Sequence, residues 1–143
     1  IEYNYLTEKL EFEGEYLNGA INGNGKEYDF NGELRYEGEY FNGERNGKGK
    51  EYDFNGKLEF EGEYFNGERY GKGKEYYKNG ELFFEGEYLK GKKWNGKGYN
   101  KNGIIEFEIK DGKGKVKEYN YLNDKLEFEG EYFNGKRNGY GKE

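Results

Sequence analysis

Apolar and acidic residues alternate strictly along the most repeated segment of the chain: Leu58, Phe60, Gly62 and Tyr64 take one side, Glu59, Glu61 and Glu63 the other. A period of two is that of a half-buried β-strand and rules out an amphipathic helix. The same pattern returns at 10–16, 34–40, 82–88 and 126–132. Leu10, Leu34, Leu58 and Leu82 are each 24 residues apart; the next equivalents, Ile105 and Leu126, come 23 and 21 residues on, so the array slips only in its second half.

A second segment follows each of these, marked by glycines at 19, 23 and 25, then 43, 47 and 49, then 67, 71 and 73. In Gly71-Lys72-Gly73-Lys74-Glu75-Tyr76-Tyr77 it is too rich in glycine for a helix. It closes on Asn-Gly, a pair suited to the positive φ that both central positions of a type I′ turn require, at Asn31-Gly32, Asn55-Gly56, Asn79-Gly80 and Asn102-Gly103. Another Asn-Gly separates the two segments at Asn18-Gly19, Asn42-Gly43, Asn66-Gly67 and Asn134-Gly135. The chain therefore reads as strand, turn, strand, turn throughout.

Side-by-side stacking of these repeats predicts a ladder of Phe12, Tyr36, Phe60, Phe84, Phe107 and Phe128, and beside it Tyr16, Tyr40, Tyr64, Tyr88 and Tyr132. Glycines 14, 38, 62, 86 and 130 fall between the rings on the same face, where a missing side chain lets an aromatic edge lie flat. On the opposite face, rows of Glu meet Lys26, Lys50 and Lys74 in pairs worth roughly 0–1 kcal/mol each.

Composition explains why the core must be aromatic. Only 31% of the 143 residues are hydrophobic and 38% are charged, yet there are 17 Tyr and 11 Phe, an aromatic content that argues for order and against a disordered chain. The net charge of −6 arises from 30 acidic and 24 basic residues mixed along the chain, with no basic stripe for nucleic acid. With no Cys, His or Ser, and only Thr7 as an aliphatic hydroxyl, acyl-transfer and metallohydrolase sites cannot be assembled, and no cofactor or metal site is expected. Paired carboxylates such as Glu61 and Glu63 read as a solvated sheet face, not as glycosidase acids across a cleft. Asp53-Phe54-Asn55-Gly56 lacks calcium-loop spacing and reads as a hairpin turn. No apolar run is long enough to span a bilayer, and the first residues do not form a signal peptide, so a cytoplasmic location is expected.

The stretch Tyr36-Glu37-Gly38-Glu39-Tyr40-Phe41-Asn42-Gly43-Glu44-Arg45-Asn46-Gly47-Lys48-Gly49 resembles the MORN (membrane occupation and recognition nexus) repeat, Y-x-G-x-x-x-x-G-x-x-x-G-x-G. The resemblance covers nearly the whole chain in about six copies. It implies an all-β fold without helices: an elongated, twisted antiparallel sheet of consecutive hairpins, a solenoid-like meander with an aromatic-lined concave side. Members of that family mostly act as scaffolds or partner-binding modules; some are linked to membrane phospholipids, and a bacterial variant to toxin–antitoxin systems. Residues 1–143 are read as one array: a partial repeat at 1–9, then 10–33, 34–57, 58–81 and 82–104, a degenerate repeat at 105–125 and a truncated one at 126–143.

Two departures stand out. An extra residue separates Gly91 from Gly96 and brings in Trp94, the only tryptophan, beside Lys92 and Lys93. In the degenerate repeat the expected Gly and Tyr become Ile109 and Asp111, which removes the pattern's warrant for a paired hairpin.

The expected function is a non-catalytic scaffold or protein-binding surface, using the concave aromatic face or a sheet edge. The alternatives are a phospholipid- or glycan-binding module and an antitoxin-like component; Gly-Lys-Gly-Lys segments could touch anionic headgroups, although interleaved Glu opposes this. Candidate partner-binding residues are Trp94, Lys92, Lys93, Tyr40, Tyr64, Tyr88, Phe60 and Phe84; the structural glycines are Gly38, Gly43, Gly47, Gly49, Gly62, Gly67, Gly71 and Gly73. A specific site is sought at 91–119, where the repeat breaks. The chain opens within a repeat, since residues 2–6 match 118–122, and closes at Gly141-Lys142-Glu143 before the next expected Tyr. These ends predict further repeats in a parent protein or self-association.

Overall fold

The computed structural model describes residues 2–4, 9–119 and 125–138, without the side chains of 2–4, 9 and 10. Tyr5, Leu6, Thr7, residues 120–124 and the close at 141–143 lie outside the described residues. Among the described residues every helix or strand element is a β-strand. Two compact units emerge, Ile1–Glu68 and Arg69–Glu143.

In the first, β1 (Glu2–Asn4), β2 (Lys9–Leu17), β3 (Ala20–Tyr28), β4 (Leu34–Phe41), β5 (Glu44–Tyr52) and β6 (Leu58–Phe65) lie in chain order, each antiparallel to the next. The repeat glycines fall into one line across the strands: Gly14 pairs with Gly25, Gly25 with Gly38, Gly38 with Gly49, and Gly49 with Gly62. Aromatic rings lie flat over this line. A Cβ added at Gly49 would stand 2.6 Å from Tyr36 Cζ, and one at Gly25 would stand 2.8 Å from Tyr40 Cε2.

The rings touch diagonally as well as along their own strands. Phe12 meets the next repeat's Tyr40 at 5.3 Å, and Tyr36 meets Tyr64 at 5.3 Å. Within strands, Tyr36 meets Tyr40 at 5.5 Å and Phe60 meets Tyr64 at 5.8 Å. All four contacts are edge-to-face, an arrangement worth roughly 0.5–1.5 kcal/mol per pair beyond the buried area.

The turns divide differently from the expectation. At Asn18-Gly19, Asn42-Gly43 and Asn66-Gly67 both residues have positive φ (52° and 82°, 51° and 84°, 50° and 82°), as a type I′ turn requires. At Asn31-Gly32 and Asn55-Gly56 only the glycine does, which corrects the type I′ reading there. The same holds at Asn79-Gly80 and Asn102-Gly103, and the reason is a longer loop, closed by the amides of Asp29, Asp53, Tyr77 and Asn100 donating to the carbonyls of Glu33, Lys57, Glu81 and Ile104. Asp29 Oδ1 accepts the amides of Asn31 and Glu33 at 2.9 and 3.0 Å, and Asp53 Oδ1 those of Asn55 and Lys57 at 2.8 and 3.0 Å. These Asx bonds support a loop that needs one left-handed residue, not two.

Of the second compact unit, β7 (Glu68–Tyr76) begins one residue before its boundary. With β8 (Leu82–Leu89), β9 (Lys92–Tyr99) and β10 (Ile105–Ile109) it forms antiparallel neighbours in chain order, the glycine line continuing as Gly73, Gly86 and Gly96. A separate three-stranded sheet holds β11 (Gly114–Tyr119), β12 (Leu126–Phe133) and β13 (Lys136–Arg137). Between β10 and β11 the turn survives, with φ of 51° at Asp111 and 77° at Gly112, but the pairing shrinks to the single bridge Lys110–Lys113. Ile109 pairs with Gly96 and Val116 with Gly130, so two branched, fully buried side chains occupy the glycine line where the ladder opens.

Candidate interaction surface

The five ring residues named as partner contacts form the core itself. Phe60 and Phe84 are 0% exposed, and Tyr40, Tyr64 and Tyr88 are 5%, 4% and 3% exposed, so these rings are covered by one another and by their own sheets. Their hydroxyls are committed as well: Tyr40 donates to Glu27 at 2.7 Å, Tyr88 to Glu75 at 2.5 Å, and Tyr64 to Glu51. Burial, then the hydrogen bond to Glu27, raises the Tyr40 pKa. Arg45 closes the layer, stacked 4.0 Å over the Tyr36 ring and paired with Glu27 at 2.7 Å. Burial works to discharge this guanidinium, but Glu27 outweighs it and raises its pKa.

The structural glycines divide by task. Gly38, Gly49, Gly62 and Gly73 lie in the cross-strand line. Gly43 and Gly67 close the type I′ turns and donate to Ile21 and Arg45 carbonyls of the preceding repeat at 2.8 and 3.0 Å. Gly47 and Gly71 have positive φ, 98° and 75°. At Gly47 the Cβ space holds the Glu39 carboxylate, which accepts the Lys48 amide at 2.6 Å.

Trp94, half-buried, lies over Gly112: a Cβ there would be 2.7 Å from Trp94 Cζ3, and the Gly112 amide donates to the Trp94 carbonyl at 2.8 Å. Lys92 packs its stem against Gly135. Lys93 reaches Glu75 at 3.1 Å and sits 5.6 Å from the Phe84 ring centre. These three residues thus tie together the hairpins of the second compact unit, which is the work that Arg45 does in the first.

The accessible aromatic surface lies elsewhere. One position further along each strand, immediately before the type I′ turn, Leu17, Phe41 and Phe65 are 58%, 66% and 54% exposed. Strand alternation turns them away from Tyr16, Tyr40 and Tyr64 onto the glutamate face. Each lies three residues beyond its glycine in the cross-strand line, on the alternate strands β2, β4 and β6. Two residues before each, on the same face, come the exposed Glu15, Glu39 and Glu63. The 24-residue recurrence of this apolar position was visible in the sequence, but strict alternation assigned its face to solvent. In the second compact unit the same turn-preceding positions are Leu89, Lys110 and Phe133, so a lysine interrupts the apolar run.

Elsewhere on the charged face the signs offset one another. Lys26 lies between Glu13 and Glu37, and Lys50 between Glu37 and Glu61. A cavity of about 530 Å³ in the second compact unit carries both signs, with Lys117 placed 3.3 Å from Glu106 and 3.9 Å from Glu129. No cluster of three or more acidic residues suited to a metal ion is found among the described residues, nor any helix long and apolar enough to cross a membrane.

The family model described as MORN repeat matches residues 12–33, 36–57, 60–81 and 128–143. These matches pass over 82–127, the stretch that holds Trp94 and the degenerate repeat. No curated protein matches the chain.

Proposed function

The chain belongs to the MORN repeat family, and from that premise we propose that it is a non-catalytic interaction module that holds a protein segment against Leu17, Phe41 and Phe65. The observation that carries this reading is the exposed apolar row itself. Three large apolar side chains, all more than half exposed, recur at the turn-preceding position of alternate strands, on the face opposite the buried Tyr40 and Tyr64. Large apolar side chains left exposed at a recurring position suit an interaction site. MORN repeats are often linked to protein or membrane interaction, and the charge pattern favours protein. Lys26 and Lys50 each face glutamates across both neighbouring strands, which cancels the clustered positive charge that anionic lipid requires.

The test compares capture of binding proteins from native cell extract by the wild-type chain, by the double variant Phe41→Ser/Phe65→Ser and by Trp94→Ala. A discrete protein retained by wild type and Trp94→Ala but lost from the double variant is the expected result. Capture that is indifferent to the double variant, or flotation with anionic vesicles in place of protein capture, overturns the reading.

A further inference from the structure

We infer that the segment held against Leu17, Phe41 and Phe65 belongs to a second copy of this chain, and is the group of lysine-bearing turns around Lys92, Lys113 and Lys136 in that copy's second compact unit. The inference rests on the interaction-module reading above and adds the identity of the partner.

The two compact units carry opposite charge. Residues 1–68 hold 17 acidic and 7 basic residues, a net charge of −10, whereas residues 69–143 hold 13 acidic and 17 basic residues, a net charge of +4. The even mixing of signs read along the whole chain holds only on average. The basic excess is densest at 90–117, where nine basic residues stand against three acidic ones.

The inversion falls on one position of the repeat, the residue that follows the glycine of each two-residue turn. In the first unit Phe41 pairs with Glu44, and Glu68 takes the same place after Gly67. In the second unit Leu89 pairs with Lys92, Lys110 with Lys113, and Phe133 with Lys136. Directly opposed residues share a face of the sheet, so the half-exposed Phe133 stands beside lysine as Phe41 stands beside glutamate. The lysine turns are joined to one another. The Gly112 amide donates to the Trp94 carbonyl at 2.8 Å and the Gly135 amide to the Gly112 carbonyl at 2.9 Å, while a Cβ at Gly135 would stand 2.8 Å from Lys92 Cβ. The Lys113 ammonium lies 5.4 Å from the Phe133 ring centre. Asp111 is the single acid in these turns. Among the described residues Lys92, Lys110, Lys113 and Lys136 are in no ion pair, whereas Lys93 is held by Glu75 and Lys117 by Glu106.

The first unit displays what these turns lack. Glu15, Glu39 and Glu63 precede Leu17, Phe41 and Phe65 by two residues on the same face, and Glu44 lies across from Phe41. Exposed charges further apart than about 8 Å are screened at physiological ionic strength, so each surface responds to the one it faces and not to the net −6 of the whole chain. Contact between two first units would set glutamate against glutamate, which complementary interfaces avoid. Because the two surfaces differ, copies join head-to-tail or two copies satisfy each other reciprocally.

The experiment is sedimentation equilibrium on the purified full chain, on Phe41→Ser/Phe65→Ser, on Lys110→Glu/Lys113→Glu, and on an equimolar mixture of the two variants, with circular dichroism to check strand content. Wild type is expected to associate, and each variant alone to associate about tenfold more weakly or not at all. Raising salt from about 0.05 M to about 0.5 M should weaken wild-type association about tenfold. The mixture should regain a one-to-one complex, because one variant keeps the lysine turns and the other keeps the apolar residues; misfolded variants would not complement each other. Association that either variant leaves unchanged, or a mixture that stays monomeric, overturns the inference. So does flotation with anionic vesicles that needs Lys110 and Lys113 while the chain stays monomeric. If wild type is monomeric while capture from cell extract still needs Phe41 and Phe65, the inference falls and the interaction-module reading stands.

Discussion

The Tyr88 hydroxyl donates a 2.5 Å hydrogen bond to the Glu75 carboxylate, thirteen residues before it. The same thirteen-residue relationship joins Tyr40 to Glu27 at 2.7 Å, Tyr64 to Glu51, and Tyr119 to Glu106 at 3.0 Å. Each pair lets a polar hydroxyl end inside an aromatic layer without an unmet hydrogen bond, the condition under which tyrosine replaces phenylalanine in a core. Cations close the site: Lys93 lies 3.1 Å and Arg69 3.8 Å from Glu75.

Glu75→Gln keeps an acceptor for Tyr88 but leaves two cations without their counter-charge, and urea unfolding should show a loss of about 1–3 kcal/mol. Burial pushes the Glu75 pKa up, but Lys93 and then Arg69 outweigh it, and the folded value lies below that of the free side chain. A depressed folded pKa gives stability that is fully present above the unfolded value, about 4.3, and that is lost as pH falls through the folded one. Acid titration followed by circular dichroism should therefore show a shallower loss of stability in Glu75→Gln than in wild type. Parallel acid limbs would refute the assignment.

The alkaline limb has the opposite sign. Burial first, and then hydrogen bonds to Glu37 and Glu106, raise Tyr52 and Tyr119 to about 12. A raised folded pKa contributes stability that is intact below the unfolded value, about 10, and is lost as pH climbs through the folded one. Phenolate absorbance should rise in step with loss of strand signal between about pH 10 and about pH 12, and refolding should follow on neutralisation. Glu37→Gln should move the titration of Tyr52 downward.

Gly49→Ala tests the ring-over-glycine contact. Its Cβ would collide with Tyr36, a ring held by Arg45 above and by Tyr40 and Tyr64 at its edges, and a cost of about 1–3 kcal/mol is expected from forced repacking. Gly32→Ala meets nothing within 4 Å and pays only for a φ of +80°, about 1–2 kcal/mol. Chemical denaturation of both variants compares them directly. The Gly49 variant should also disturb the near-ultraviolet tyrosine signal, which the Gly32 variant should leave as in wild type.

Much of this architecture could be read from residue types, because the forces that set it are local. Alternation at 58–64 places Phe60 and Tyr64 on one face whatever the partner strand. Asn-Gly at 18–19, 42–43 and 66–67 closes a two-residue hairpin, and a fixed repeat stacks equivalent strands in order. Local rules also misassigned what they could not see. Asn31-Gly32 and Asn42-Gly43 are the same dipeptide, yet the first sits in a longer loop, closed by the Asp29 amide on the Glu33 carbonyl, and takes one left-handed residue where the second takes two.

The sequence by itself determined an all-β hairpin array with an aromatic core and a glycine line, since period, turn chemistry and the scarcity of aliphatic residues admit little else. Tertiary structure decided which apolar residues the core consumes. Tyr40, Tyr64, Tyr88, Phe60 and Phe84 became inaccessible because rings from successive repeats close over one another. Trp94, Lys92 and Lys93 were drawn into joining hairpins where the ladder thins. Leu17, Phe41 and Phe65 stayed outside, because a strand that packs one face on the aromatic layer must turn the next residue the other way.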